Sequence, residues 1–132
     1  MTPQQAFYER EVLPLYLGGV KRVFVVISDA LRLDVAHELV QLTNSKNGFK
    51  ATLGAMLGVL PSYTALGMAA LLPHQTLAYK ENANLDVLAD GHLVATLEQR
   101  HAHLKPFGGI AIKAEDLMGL GKDKGRDRKS VV

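Results

Sequence analysis

The spacing of apolar residues changes along this chain, and each change marks a predicted element. Val20-Lys21-Arg22-Val23-Phe24-Val25-Val26-Ile27-Ser28 carries five consecutive apolar residues, most of them β-branched. That run fits a central strand buried on both faces of a parallel sheet. After Asp29-Ala30 the spacing widens. Leu31, Val35, Leu39 and Leu42 recur at helical intervals, predicting a helix to about Leu42 with an apolar side toward the sheet. Thr43 to Gly48 is a loop, and a second strand is expected between Phe49 and Leu60, blurred by Gly54 and Gly58. Leu60-Pro61-Ser62-Tyr63-Thr64 then leads into the apolar run Ala65 to Leu72. Pro61 sets an extended or turned entry, Ser62 and Thr64 suit a helix start, and Pro73 ends the segment. Strand, helix, strand, helix in this order predicts a layered α/β fold.

The flanks are patterned more locally. Thr2-Pro3-Gln4-Gln5 has the form of a capping box, opening a helix from Pro3 to about Leu13 that Pro14 ends before a turn at Gly18-Gly19. Tyr79 to Asn84 reads as a polar loop, Leu85 to Leu88 as a short strand and Asp90-Gly91 as its turn. Thr96-Leu97-Glu98-Gln99 is a second capping box, opening a helix to about Leu104. Gly108 to Ile112 predicts a turn and short strand, and Ala114 to Leu120 a last helical segment.

Composition narrows the function classes. A chain of 132 residues, 48% hydrophobic and 21% charged, suits one domain and has no apolar run long enough to span a bilayer. Met1 to Gln5 lacks the basic-then-apolar pattern of a signal peptide, so a cytoplasmic location is expected. The absence of cysteine excludes disulfides, thiolate catalysis and Cys-ligated zinc. Residues 1–121 hold ten Lys/Arg against eleven Asp/Glu, a net −1, whereas residues 122–132 hold five against two, a net +3. The basic character therefore belongs to a tail, which either touches phosphates or is simply a solvated end.

Two positions stand out chemically. Asp29 follows the first strand directly, at the sheet edge where ligands collect in α/β folds, so it suits a metal ligand, a base or a helix N-cap equally. Thr64 opens the helix after the second strand, where a hydroxyl sits either at an anion-binding helix terminus or in an ordinary cap. The topology lets both reach one crevice. The histidines, His37, His74, His92, His101 and His103, are scattered, and two residues apart on a helix His101 and His103 point away from each other, predicting a solvated face. No Gly-x-Ser-x-Gly elbow occurs, and Gly119-Leu120-Gly121-Lys122 lacks the first Gly and the Ser/Thr of a phosphate-binding loop.

At Val25-Val26-Ile27-Ser28-Asp29-Ala30-Leu31-Arg32 and at Leu60 to Pro73 the chain resembles the PglZ domain of the alkaline phosphatase superfamily, found in bacteriophage-exclusion (BREX) defence systems. The resemblance implies the N-terminal part of a three-layer α/β/α domain with a mostly parallel sheet, over residues 1–121, followed by the basic tail 122–132. It implies a metal-dependent phosphoester hydrolase with Asp29 as a metal ligand and Thr64 as both nucleophile and metal ligand. Ser62 is the alternative nucleophile and, with Ala65, a substrate contact. Two divalent ions, zinc by preference, belong to the complete family site. Later Asp and Asp-His ligands of that site are missing from these 132 residues, and no Asp-His-Gly motif occurs. The chain is therefore expected to be truncated at its C-terminal end and inactive alone. The alternative is a non-catalytic interaction piece of a BREX assembly that contacts nucleic acid through its basic tail. Expected partners are a phosphoester or nucleic acid and other BREX proteins, with no membrane.

Overall fold

The computed structural model describes residues 1–120 and 130–131. In chain order the elements are α1 (Leu13–Leu17), β1 (Val23–Phe24), α2 (Leu33–Asn44), α3 (Thr64–Ala70), β2 (Leu77–Tyr79), β3 (Val87–Ala89), β4 (His92–Leu93), α4 (Leu97–Leu104), β5 (Gly109–Ile110), α5 (Leu117–Leu120) and β6 (Ser130–Val131). They form two three-stranded sheets. One is parallel, in the order β1-β6-β5, and the other is the antiparallel meander β2-β3-β4. The class is mixed α/β, but a mostly parallel sheet is not what forms. The antiparallel meander was not expected, because β2 lies in a stretch with few strand signals and is defined by its pairing with β3.

The core lies in the second half of the chain. Leu66, Ala69 and Leu72, from α3 and the turn after it, pack with Val87 and Ala89 of β3, then with Val94, Leu104 and Ala111. Small residues at 69 and 70 let α3 approach the meander closely, and both are fully buried. Pro73 is not what stops α3. The helix ends at Ala70, and Leu71 and Leu72 turn back onto Met68 and Ala69 through backbone hydrogen bonds of 3.2 and 3.1 Å.

Two locally encoded features match their sequence. Thr96 caps α4 with both halves of the capping box present. Asp90-Gly91 makes the β3–β4 hairpin turn with φ of 51° and 81°, the left-handed pair that a two-residue hairpin requires.

The first half departs from expectation. Among the described residues the Val20–Ser28 strand is paired only at Val23 and Phe24, and Val26 is 76% exposed, so it is not buried on both faces. Among the described residues no strand forms between Phe49 and Leu60. Leu57 makes a single parallel bridge to Pro3 instead, and Asn44 holds Ala51 through two hydrogen bonds of 2.7 and 3.0 Å. Leu31, Val35, Leu39 and Leu42 do not cover the sheet; all are about half exposed and α2 buries nothing. The periodicity was real, but no described element packs on it.

At the start, Thr2 does not cap a helix. Its carbonyl accepts from the Leu57 N–H, and Pro3 is the N-terminal flanking residue of a short 3-10 turn, Gln4–Ala6. A π-helical run, Tyr8–Val12, follows, and Pro14 sits in the first turn of α1 instead of ending the helix. Proline is tolerated there because its missing N–H needs no partner in a first turn.

Candidate functional site

Asp29 and Thr64 reach the surface by different routes. Beyond β1 the chain turns at Asp29-Ala30, where Ala30 takes φ +57°. A non-glycine residue in this left-handed region is uncommon and marks a tight reversal. The turn leaves the Asp29 carboxylate exposed, without a hydrogen bond or ion pair to another described residue. It does not cap α2. The flanking residue there is Arg32, and the first turn is served by Asp34, which accepts from the Val35 N–H at 2.9 Å and pairs with Arg32 at 2.8 Å. Both partners of that ion pair are well exposed, so it adds little to stability.

Thr64 is the first residue of α3, preceded by Tyr63 in extended conformation, and its side chain caps nothing. Leu60-Pro61 is a cis peptide, and Ser62 and Thr64 are exposed while Ala65 packs partly against the core. Two side chains fix this loop. Gln4 donates from Nε2 to the Gly67 carbonyl at 2.9 Å and accepts from the Val59 N–H at 3.2 Å. Tyr63 donates its hydroxyl to the Leu85 carbonyl at 3.0 Å. Its phenol pKa is raised, first by desolvation and then by Tyr79 and Asp86. The nucleophile candidate is thus free while its neighbours are anchored.

No hydrogen bond joins Asp29 to Thr64 among the described residues. The donor set for a metal is correspondingly thin. One carboxylate and one hydroxyl are two hard oxygen ligands, and no group of three His, Asp or Glu side chains converges among the described residues. A closed zinc site takes four ligands, so these residues do not fit a complete centre.

The histidines behave differently from a solvated helix face. His103 is 6% exposed, with Nε2 donating to the Pro73 carbonyl at 2.6 Å and Nδ1 buried without a hydrogen-bond partner among the described residues. His101 is half-buried, and its Nδ1 accepts from the Ala111 N–H at 3.1 Å. Both brace α4, one against the end of the α3 segment and the other against the chain after β5. His74 donates from Nδ1 to the Leu72 carbonyl at 2.6 Å, and His92 is exposed. Sequence reasoning missed His103 because the carbonyl that its ring bonds belongs to Pro73, thirty positions away.

A separate cavity of about 360 Å³ lies between the Phe24–Ile27 and Ala111–Ala114 segments, with Met68, Leu97, Arg100 and Leu117. It includes neither Asp29 nor Thr64.

The family model described as the BREX system PglZ alkaline phosphatase-like domain matches residues 7–129. The alkaline phosphatase-like protein BrxZ of Escherichia coli O9:H4 (strain HS) is 47% identical over 125 residues, covering 94% of this chain and 14% of that protein. The alkaline phosphatase-like protein PglZ of Bacillus cereus (strain H3081.97) is 39% identical over 129 residues, covering 96% of this chain and 15% of that protein. The chain thus spans about one seventh of the length of the curated relatives it matches. No solved structure matches it.

Proposed function

We propose, from the premise that this chain belongs to the PglZ family of BREX alkaline phosphatase-like domains, that it forms part of a phosphoester-hydrolase centre in a phage-defence assembly. In this reading Thr64 is the nucleophile, Asp29 a metal ligand, and Ser62 and Ala65 contact the substrate. The observation that carries it is Thr64 itself. Its hydroxyl is exposed and uncommitted at the head of α3, while Leu66, Ala69 and Ala70 of the same helix are buried. A nucleophile needs this combination of a free side chain on a rigid support. The left-handed turn at Ala30 supports the role of Asp29, because strained backbone collects at functional sites.

The centre is incomplete in these residues. A zinc ion, when bound, would lower the pKa of a hydroxyl and neutralise phosphoryl charge. Asp29 and Thr64 supply at most two of its ligands, so the remainder must come from elsewhere in a three-layer α/β/α domain. This chain alone is therefore inactive and binds zinc weakly. A second reading is favoured by the exposed apolar stripe of α2: a non-catalytic interaction piece that docks onto other BREX proteins.

Zinc titration by calorimetry, with hydrolysis of a generic phosphoester, separates these readings. Weak zinc binding lost in Asp29→Ala, without turnover, is the expected result. Turnover that disappears in Thr64→Ala would overturn the incompleteness, and zinc binding indifferent to Asp29→Ala would remove that residue from the site.

A further inference from the structure

Two firmly held segments line a polar cavity of about 460 Å³ that includes neither Asp29 nor Thr64. One is the 3-10 turn Gln4–Ala6 with the π-helical run after it, which carries Glu9 in its first turn. The Gln4 N–H donates to the Leu57 carbonyl at 2.7 Å, and the Gln4 carboxamide bonds Val59 and Gly67. The other segment is His74, Gln75 and Leu77, leading from Pro73 into β2. Asp90 Oδ1 holds the Gln75 N–H at 2.9 Å, and His74 Nδ1 bonds the Leu72 carbonyl at 2.6 Å. A carbonyl only accepts, so the neutral His74 ring carries its proton on Nδ1 and offers Nε2 as an acceptor. Glu9 is exposed, and its carboxylate, which only accepts when ionised, pairs with no described residue. Gln5 and Gln75 each add a carboxamide oxygen, and no Lys or Arg lines the cavity among the described residues.

We propose that this cavity binds a guanidinium cation, with Glu9 as its counter-ion. A lining rich in acceptors and carrying a carboxylate selects a guest that is cationic and made of donors. Guanidinium has five N–H donors, no acceptor and a planar fork that meets a carboxylate through two parallel bonds. Its remaining N–H groups suit His74 Nε2 and the carboxamide oxygens. An ammonium has three donors and a tighter hydration shell, so it gains less on entry. Pro3, Ala6 and Leu77 supply apolar surface for the methylene stem that carries such a head group. An anion meets only the Glu9 charge, so the cavity is no second phosphoester site. Because both segments are pinned by their own hydrogen bonds, little ordering is left for the guest to impose. The same chemistry serves a free alkylguanidine or an arginine side chain of a partner protein.

The test titrates propylguanidinium chloride into the full chain and follows its amide and imidazole resonances by NMR. Saturable shifts are expected at Gln5, Glu9, Gln75 and His74 Nε2, with a Kd of about 1 mM. Glu9→Gln, at an exposed position that leaves the fold intact, should raise that Kd about fivefold. Butylammonium chloride should bind the parent more weakly than propylguanidinium. Acetyl-Gly-Arg-Gly amide then distinguishes the sources. Binding as tight as that of propylguanidinium assigns the cavity to a partner's arginine, and binding about tenfold weaker assigns it to a free alkylguanidine. Shifts that stay linear to about 20 mM would overturn the proposal, as would a Kd unchanged in Glu9→Gln. Equal affinity for butylammonium, or the same shifts with inorganic phosphate, would overturn it as well.

Discussion

Asp90 shows how much one exposed carboxylate can organise. Its Oδ1 accepts from the Gln75 and Thr76 N–H groups, each at 2.9 Å, and from the Thr76 hydroxyl at 3.3 Å, tying the entry of β2 to the β3–β4 turn. Those bonds hold its pKa below the ordinary carboxylate value, the Thr76 N–H contributing most, then that of Gln75. A depressed folded-state pKa stabilises above the unfolded value, near 3.9, and the benefit is lost as pH falls through the folded one. Protection of the Gln75 and Thr76 amides, measured against their intrinsic exchange rates, is therefore expected to fall on acidification below about pH 4. In Asp90→Asn, which keeps the left-handed turn and one acceptor oxygen, that fall should vanish. An unchanged acid profile in the variant would show that Asp90 is not the group responsible. His103 teaches the complementary lesson. Its two-residue spacing from His101 correctly says that the rings diverge, but not that each finds a partner within the protein.

Elements whose instructions are carried by neighbouring residues were legible in advance. The α4 cap needs only Thr96 and Gln99, three positions apart, and the hairpin needs only Asp90 and Gly91, so both follow from local backbone chemistry. Replacing Thr96 by Ala is expected to cost about 0.5–2 kcal/mol in urea unfolding, and Thr96→Ser to recover most of it. A Thr96→Ala protein as stable as the parent would remove the capping box from the account. The strands were not legible in the same way. Val20 to Ile27 has the composition of a doubly buried strand, yet its extent is set by how much partner lies beside it, and that partner begins at Ser130. Composition states what a segment can pair with; the length of pairing depends on distant chain. Likewise, Asp29 and Thr64 could be singled out as residues, but the second strand on which their shared crevice relied does not form among the described residues.

At the scale of the whole molecule the chain is lopsided. Buried residues gather in α3, the meander, α4 and β5, while α2 presents Val35, Leu39 and Leu42 to the surface. A contiguous apolar stripe of this kind marks a docking face or an aggregation hazard. Changing Val35, Leu39 and Leu42 to Gln together is expected to move stability by no more than about 0.5 kcal/mol per site and to reduce light scattering at high concentration. A loss of many degrees in Tm would instead mean that the stripe is covered. The two uneven halves are joined near the start of the chain by the Gln4 carboxamide, which grips Val59 with its oxygen and Gly67 with its nitrogen. Mechanically this is a buckle. The strap between its two holding points carries Pro61, Ser62 and Thr64, so slack at Gln4 becomes play at the Thr64 hydroxyl. The aim of that oxygen is thus adjusted from a residue sixty positions away that never touches it.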